Sequence, residues 1–208
     1  MANKGSKGER ILQREYGTTR RAANFYEKQM LDHLNAAMRE FIAKQEIVFI
    51  ATSDSKGECD CSFRAGKPGF VRVISEKFLA CPEYRGNGIM ASLGNILENP
   101  HIGMTFVDFF ESTVGLHVNG KAKIIGNEDF LEVSELEKKL IEDIKEEGGR
   151  KPERWIFITV EEAYIHCSKH IPLLKKLDKK IHWGTDKETY KGGDFFKTQK
   201  RKLSSTDK

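Results

Sequence analysis

The sequence predicts an α+β protein: a mostly antiparallel sheet, curled into a small barrel and flanked by helices. Three observations predict it. Short apolar, β-rich stretches recur from Glu46 onward, separated by turn-forming clusters such as Ser53-Asp54-Ser55-Lys56-Gly57 and Lys67-Pro68-Gly69. Three other segments carry apolar residues at helical spacings of three and four. The chain has 208 residues, 38% of them hydrophobic, enough for one sizeable core but not two.

The elements follow in order. Residues 1–21 are polar, basic and without period, and read as a flexible basic arm. The domain proper is expected over 22–175, followed by a basic extension over 176–208. A helical stripe from about Ala22 takes in Leu31, Leu34, Met38, Phe41 and Ile42. Strands are expected at 46–52, 58–65, 70–74 and 76–81. Residues 82–88 read as irregular. Met90, Leu93 and Leu97 then share a helical face over 89–98, and Pro100 lies just beyond it. Residues 102–109 form a buried strand. Residues 113–119 and 121–125 read as two strands turning on Asn119-Gly120, a favoured hairpin dipeptide. Asn127 is an N-cap, with Glu128 and Asp129 in the favourable first turn of a helix that runs to about 147. Residues 155–161 and 164–167 are the closing strands.

Composition narrows the function classes. The longest apolar runs, such as Ile47-Val48-Phe49-Ile50-Ala51, fall far below the roughly 20 residues of a membrane helix. The first residues carry no apolar signal region, so the expectation is a cytoplasmic protein without membrane contact. Cys59, Cys61, Cys81 and Cys167 form no Cys-x-x-Cys pair; they read as free thiols, with no metal site and with Cys167 buried and inert. The net charge is +4, yet residues 175–208 alone hold eleven Lys/Arg against five Asp/Glu, so the basicity belongs to the tail. Its aromatics (Trp183, Tyr190, Phe195, Phe196) leave two readings open: stacking on nucleic acid, which the interleaved acids disfavour, or docking onto the barrel or a partner subunit.

The densest polar segment is 80–95, which passes from a strand through a glycine-bearing loop into a helix. That geometry suits a phosphate, because helix-start amides and the dipole favour an anion. Gly86 and Gly88 let the backbone approach closely, Arg85 is suited to bidentate contact, and Asn87 and Ser92 add neutral donors. Ser62 and Arg64 share one face of an earlier strand, and His117 and Asn119 one face of a later one.

These residues resemble a known family. Ser62-Phe63-Arg64, Gly69-Phe70-Val71-Arg72-Val73, Pro82 followed by Gly86-Asn87, Ser92-Leu93-Gly94-Asn95-Ile96-Leu97-Glu98-Asn99-Pro100 and Val118-Asn119-Gly120 are similar, in that order, to the pyridoxamine 5′-phosphate oxidase-like flavin-nucleotide-binding proteins. The resemblance covers roughly 47–171. It implies a split β-barrel, a homodimer, and FMN between the subunits. It implies cofactor contacts from Ser62 and Arg64 on the first strands, from Arg85, Gly86, Asn87, Ser92 and Asn95 around the phosphate and ribityl end, and from His117 and Asn119 near the ring or the neighbouring subunit. His166 and Lys169 would bring positive charge to the flavin's pyrimidine end. Two departures point away from the authentic vitamin B6 oxidase. Met90-Ala91-Ser92 stands where those enzymes carry Ser-Arg-Lys, and Cys167-Ser168-Lys169-His170 stands where they carry Arg-x-His. The expected function is a flavin-dependent oxidoreductase on an unidentified small substrate; a non-catalytic flavin, haem or deazaflavin module and a nucleic-acid-binding tail are the alternatives.

Overall fold

The computed structural model describes residues 4–131, 145, 151–182 and 185–198. Its centre is one antiparallel sheet of seven strands: β1 (Ile47–Ser53), β2 (Cys59–Ala65), β3 (Arg72–Val73), β4 (Phe78–Glu83), β5 (His101–Val107), β6 (Gly115–Gly126) and β7 (Arg154–His166). The order across the sheet is β2-β1-β5-β6-β7-β4-β3. The sheet curls but backbone pairing does not close it; β2 and β3 are its two edges. This is the α+β split barrel that the sequence predicts, with an open seam between its edges.

Alternation explains the strands. In β1, Val48, Ile50 and Thr52 are buried while Phe49 and Ala51 face outward. The core joins them to Leu79, Met104, Phe106, Val118, Ile156 and Ile158, all about fully buried. β4 and β7 are covered on both faces, since Ala80, Trp155 and Phe157 form a second, smaller cluster with Ile125.

Five expectations need correction. The N-terminal arm is helical: α1 (Lys7–Glu15) starts with a Ser6–Glu9 capping box, and Glu9 and Gln13 bond the Tyr26 hydroxyl on α2 (Thr19–Lys28). The single helix expected from Ala22 is broken. Residues 29–35 leave the helix because Leu31 exchanges two backbone hydrogen bonds with Ala163 (2.9 and 2.8 Å) and the Leu34 amide donates to Glu76 O. Asn35 then caps α3 (Ala36–Lys44) by accepting from the Met38 amide.

Asn119-Gly120 is not a turn. β6 runs straight through it, and the register of β6 against β7 shifts there. Asn119 faces Glu162 and Gly120 faces Val160, which leaves Glu161 as the extra residue of a bulge. A bulge resets the two-residue alternation, so β7 looks in sequence like two strands. Gly120 is required by contact: a Cβ there would lie 2.0 Å from the Thr159 carbonyl oxygen.

Asn127 opens α5 (Asn127–Leu131), but its side chain does not cap it. The amide donates to Pro152 O (2.9 Å) and accepts from the Trp155 indole (3.0 Å), tying α5 to β7. The rest of the helix expected to about 147 lies outside the described residues, apart from 145. The cysteines also differ: Cys167 is exposed, and Cys81 is the buried one, its thiol pushed up to about 12 chiefly by burial. Among the described residues, no helix is long and apolar enough to cross a membrane.

Candidate functional site

The seam of the barrel is bridged by side chains instead of backbone. Arg64 on β2 donates from Nε and Nη2 to the two carboxylate oxygens of Glu83 on β4, at 3.1 and 3.3 Å. Arg64 also donates to the Ser62 hydroxyl. Both charged groups are about four-fifths buried. Burial pushes the Glu83 carboxyl above its usual range, and the Arg64 guanidinium partly offsets this.

Above this bridge lies a cleft of about 650 Å³, within the range of small-molecule sites. Its floor is the alternating face of β2 (Asp60, Ser62, Arg64). Its walls are the loop 84–90, the first turn of α4 (Ala91–Glu98) and the start of β7 at Glu153 and Arg154. Asn87 shapes the loop by accepting from the Ile89 amide at 3.0 Å. Met90 enters the helix with φ of 55°, a left-handed conformation that costs a non-glycine residue roughly 1 kcal/mol. No side chain caps α4 at this end. A helix start without a cap, facing a cleft lined by guanidinium groups, suits a phosphate. Ser92 donates to Asp60 at 2.7 Å, which anchors the helix start to the floor.

The charges in the cleft are mixed. Arg64, Arg85, Arg154 and Lys191 face Asp60, Glu83, Glu153 and Asp186. Arg154 pairs with Glu153 at 3.4 Å and Arg85 with Asp186 at 2.7 Å. An anionic ligand therefore enters by competing with carboxylates, not by filling a bare cationic hole.

Six of the sequence-derived candidates meet here: Ser62, Arg64, Arg85, Gly86, Asn87 and Ser92. Asn95 does not; it donates to the Thr52 hydroxyl at 3.1 Å and fastens α4 to β1. His117, Asn119 and His166 lie on the opposite face of the sheet. His117 pairs with Thr105 across β5 and with Tyr164 across β7, and Thr105 pairs with Phe49, so all share the outer face. There His117 Nε2 is 2.8 Å from His166 Nδ1, and its ring stacks on Tyr164 at 4.8 Å. Burial first, and the neighbouring His166 second, hold His117 below the ordinary histidine value. Asn119 donates to Glu162 at 3.2 Å. Lys169 is exposed in a 3-10 turn (Ser168–His170) beyond β7.

Sequence reasoning missed Asp60, Glu83, Glu153, Arg154, Asp186 and Lys191. Asp60 carried a signal, since it alternates with Ser62 and Arg64. Glu83 lies inside the polar 80–95 segment. Arg154 and Asp186 are brought in from distant sequence by the fold, and nothing local marks them. In the tail, Tyr190 stacks on His182 at 3.7 Å and Phe195 meets Phe196 edge-on, while Trp183 lies outside the described residues.

The family profile described as pyridoxamine 5′-phosphate oxidase matches residues 34–167, well over half of the chain. No curated protein sequence matches it. Among solved structures, HupZ of Group A Streptococcus is 25% identical, with a TM-score of 0.47 over 63% of this chain and 92% of that one. A candidate pyridoxamine 5′-phosphate oxidase of Lactobacillus delbrueckii is 15% identical, with a TM-score of 0.46 over 65% of this chain and 98% of that one. HutZ, the haem storage protein of Vibrio cholerae, is 14% identical, with a TM-score of 0.38 over 64% and 94%.

Proposed function

Because this chain belongs to the pyridoxamine 5′-phosphate oxidase-like family, we propose that it binds FMN in the seam cleft and works as a flavin-dependent oxidoreductase on a small substrate still to be identified. One observation carries the reading. Ser62 and Arg64 on β2 and Arg85, Gly86, Asn87 and Ser92 around the α4 start are far apart in sequence, yet they line one cleft. Their chemistry fits the phosphate and ribityl end of FMN: guanidinium groups for the anion, hydroxyl and amide groups for the polyol, and an uncapped helix start.

Bound FMN supplies hydride or electron transfer; the protein's part is binding, orientation and electrostatics. Arg85 and the α4 amides would hold the phosphate. Arg64, held by Glu83 and Ser62, would supply a fixed polar floor for the ribityl end. Arg154 would add a further cation at the far wall.

The resemblance also implies a homodimer, and the outer sheet face is the surface we assign to it. Phe63 is 55% exposed and Phe49 37% exposed, and their rings meet edge-on at 5.8 Å. A second copy seated there would cover Phe49, Phe63 and the His117 row against the same row of its partner. One observation favours a second reading, haem binding. His117 and His166 lie 2.8 Å apart on the outer face, burial favours the neutral form of His117, and imidazole nitrogens are axial ligands for haem iron.

The test is the visible absorption spectrum of the purified protein before and after adding FMN and removing the excess. Flavin bands retained by the wild type and lost in an Arg85→Ala/Asn87→Ala variant support the FMN site. A Soret band from added haem, lost in His117→Ala, supports the second reading. A protein that retains neither ligand refutes both.

A further inference from the structure

The basic extension folds back on the domain and reaches the cleft. The Leu174 amide donates to Phe109 O at 2.7 Å, at the far end of β5. Lys176 pairs with Glu46 at the start of β1. Residues 185–191 then form a hook. The Lys187 amide donates to Thr185 Oγ1, Lys191 holds Asp186 at 2.9 Å, and Tyr190 lies flat on His182 with the ring planes 11° apart. The hook presents the Asp186 carboxylate to Arg85 Nη2 at 2.7 Å, and both Asp186 and Lys191 line the cleft.

The three guanidinium groups of the cleft are paired differently. Arg64 and Arg154 have partners from the barrel itself, Glu83 on β4 and Glu153 at the edge of β7. Arg85 has a partner from the tail, about a hundred residues away in sequence. Asp186 occupies Arg85 Nη2, so a phosphate that takes the same edge of the guanidinium displaces the carboxylate. The Arg85 and Asp186 side chains are 60% and 54% exposed, so their pairing is weak and readily exchanged.

We propose that Asp186 is an internal anion: it holds Arg85 in the free protein, and a phosphate-bearing ligand must displace it to enter. The inference rests on the reading of the cleft as an FMN phosphate site and adds the tail as its regulator. It assigns the extension a role in selectivity, since a ligand needs an anionic group to compete for Arg85. Riboflavin, which lacks the phosphate, leaves the Asp186 contact in place.

The experiment uses the full-length protein. FMN and riboflavin are titrated into the wild type and into Asp186→Asn, with flavin fluorescence as the readout. Asp186 is exposed and outside the core, so the substitution leaves the fold intact. The expected result is FMN binding about threefold tighter in the variant, as removal of one exposed ion pair implies, with riboflavin affinity unchanged. Trypsin cleavage after Lys187 and Lys191 should quicken in the wild type when FMN is added, because the hook is released. Unchanged FMN affinity in Asp186→Asn overturns the internal anion and leaves the FMN site standing. An equal gain for riboflavin also overturns it, since the effect would then not act through the phosphate. No FMN binding by either protein overturns the cofactor reading and this inference with it.

Discussion

Strand β2 serves two surfaces of opposite character. Asp60, Ser62 and Arg64 face the seam cleft, and Cys59, Cys61 and Phe63 face the outside of the sheet. In the cleft, each polar group is held by another: Arg64 by Glu83, Ser92 by Asp60, Arg85 by Asp186. On the outer face, Phe63 and Phe49 stand open to solvent beside a row that continues through Thr105, His117 and Tyr164. Part of that row is covered by the chain's own N-terminal helices, where Phe25 of α2 meets Tyr164 edge-on at 5.8 Å. The difference shows what a two-residue period does at a barrel edge. One strand builds a polar site on one side and an apolar, histidine-bearing surface on the other, with the sheet between them.

Gly120→Ala forces a Cβ into the Thr159 carbonyl, where backbone has no room to give. The expected loss is about 3 kcal/mol, the upper end for overpacking, read by denaturant unfolding. A variant as stable as the wild type would show that the bulge does not need glycine.

Arg64→Ala tests the cleft side. It leaves Glu83 largely buried without its cation, which costs about 2 kcal/mol, discounted for the residual exposure. FMN retention should be lost as well. Unchanged stability would mean that the seam is held by packing alone.

Phe63→Glu tests the outer face. Folding stability should change by about 0.5 kcal/mol or less, as for other exposed positions. Light scattering after gel filtration should show a dimer become a monomer, with weaker FMN binding if the second copy completes the site. A monomeric wild type would remove the outer face from the argument.

The smallest effect is a pH slope. His117 is held below the ordinary histidine value, so the fold prefers its neutral form. Its contribution is complete above the unfolded pKa of about 6.5 and is lost as pH falls through that value toward the lower folded one. Unfolding free energies at pH 7.5 and 5.5 should therefore differ less in His117→Gln than in the wild type. Equal differences would show that His117 does not feel its burial.

Much of the fold was legible in local sequence. β1, β2, α4 and β5 fall within about two residues of where alternation, turn chemistry and Pro100 place them. The cleft wall was legible because residues 80–95 carry its glycines, its arginine and its helix start in one run. α1 carries a local signal of its own, the Ser6–Glu9 capping box. The split into two β7 strands came from a real change of phase, caused by a bulge and not by a chain break. The 22–42 stripe failed where Leu31 exchanges helix hydrogen bonds for pairing with Ala163, a partner more than a hundred residues away.

Neighbours a few residues apart dictate the strands, the helix starts, the phosphate-suited loop and the family resemblance. Long-range contacts set which face each candidate occupies. They place Arg64 against Glu83 across the seam, separate His117 and Asn119 from the cleft by the thickness of the sheet, and bring Asp186 to Arg85. Periodicity tells which residues share a face of one strand; only long-range pairing, bulge and curl tell what that face meets.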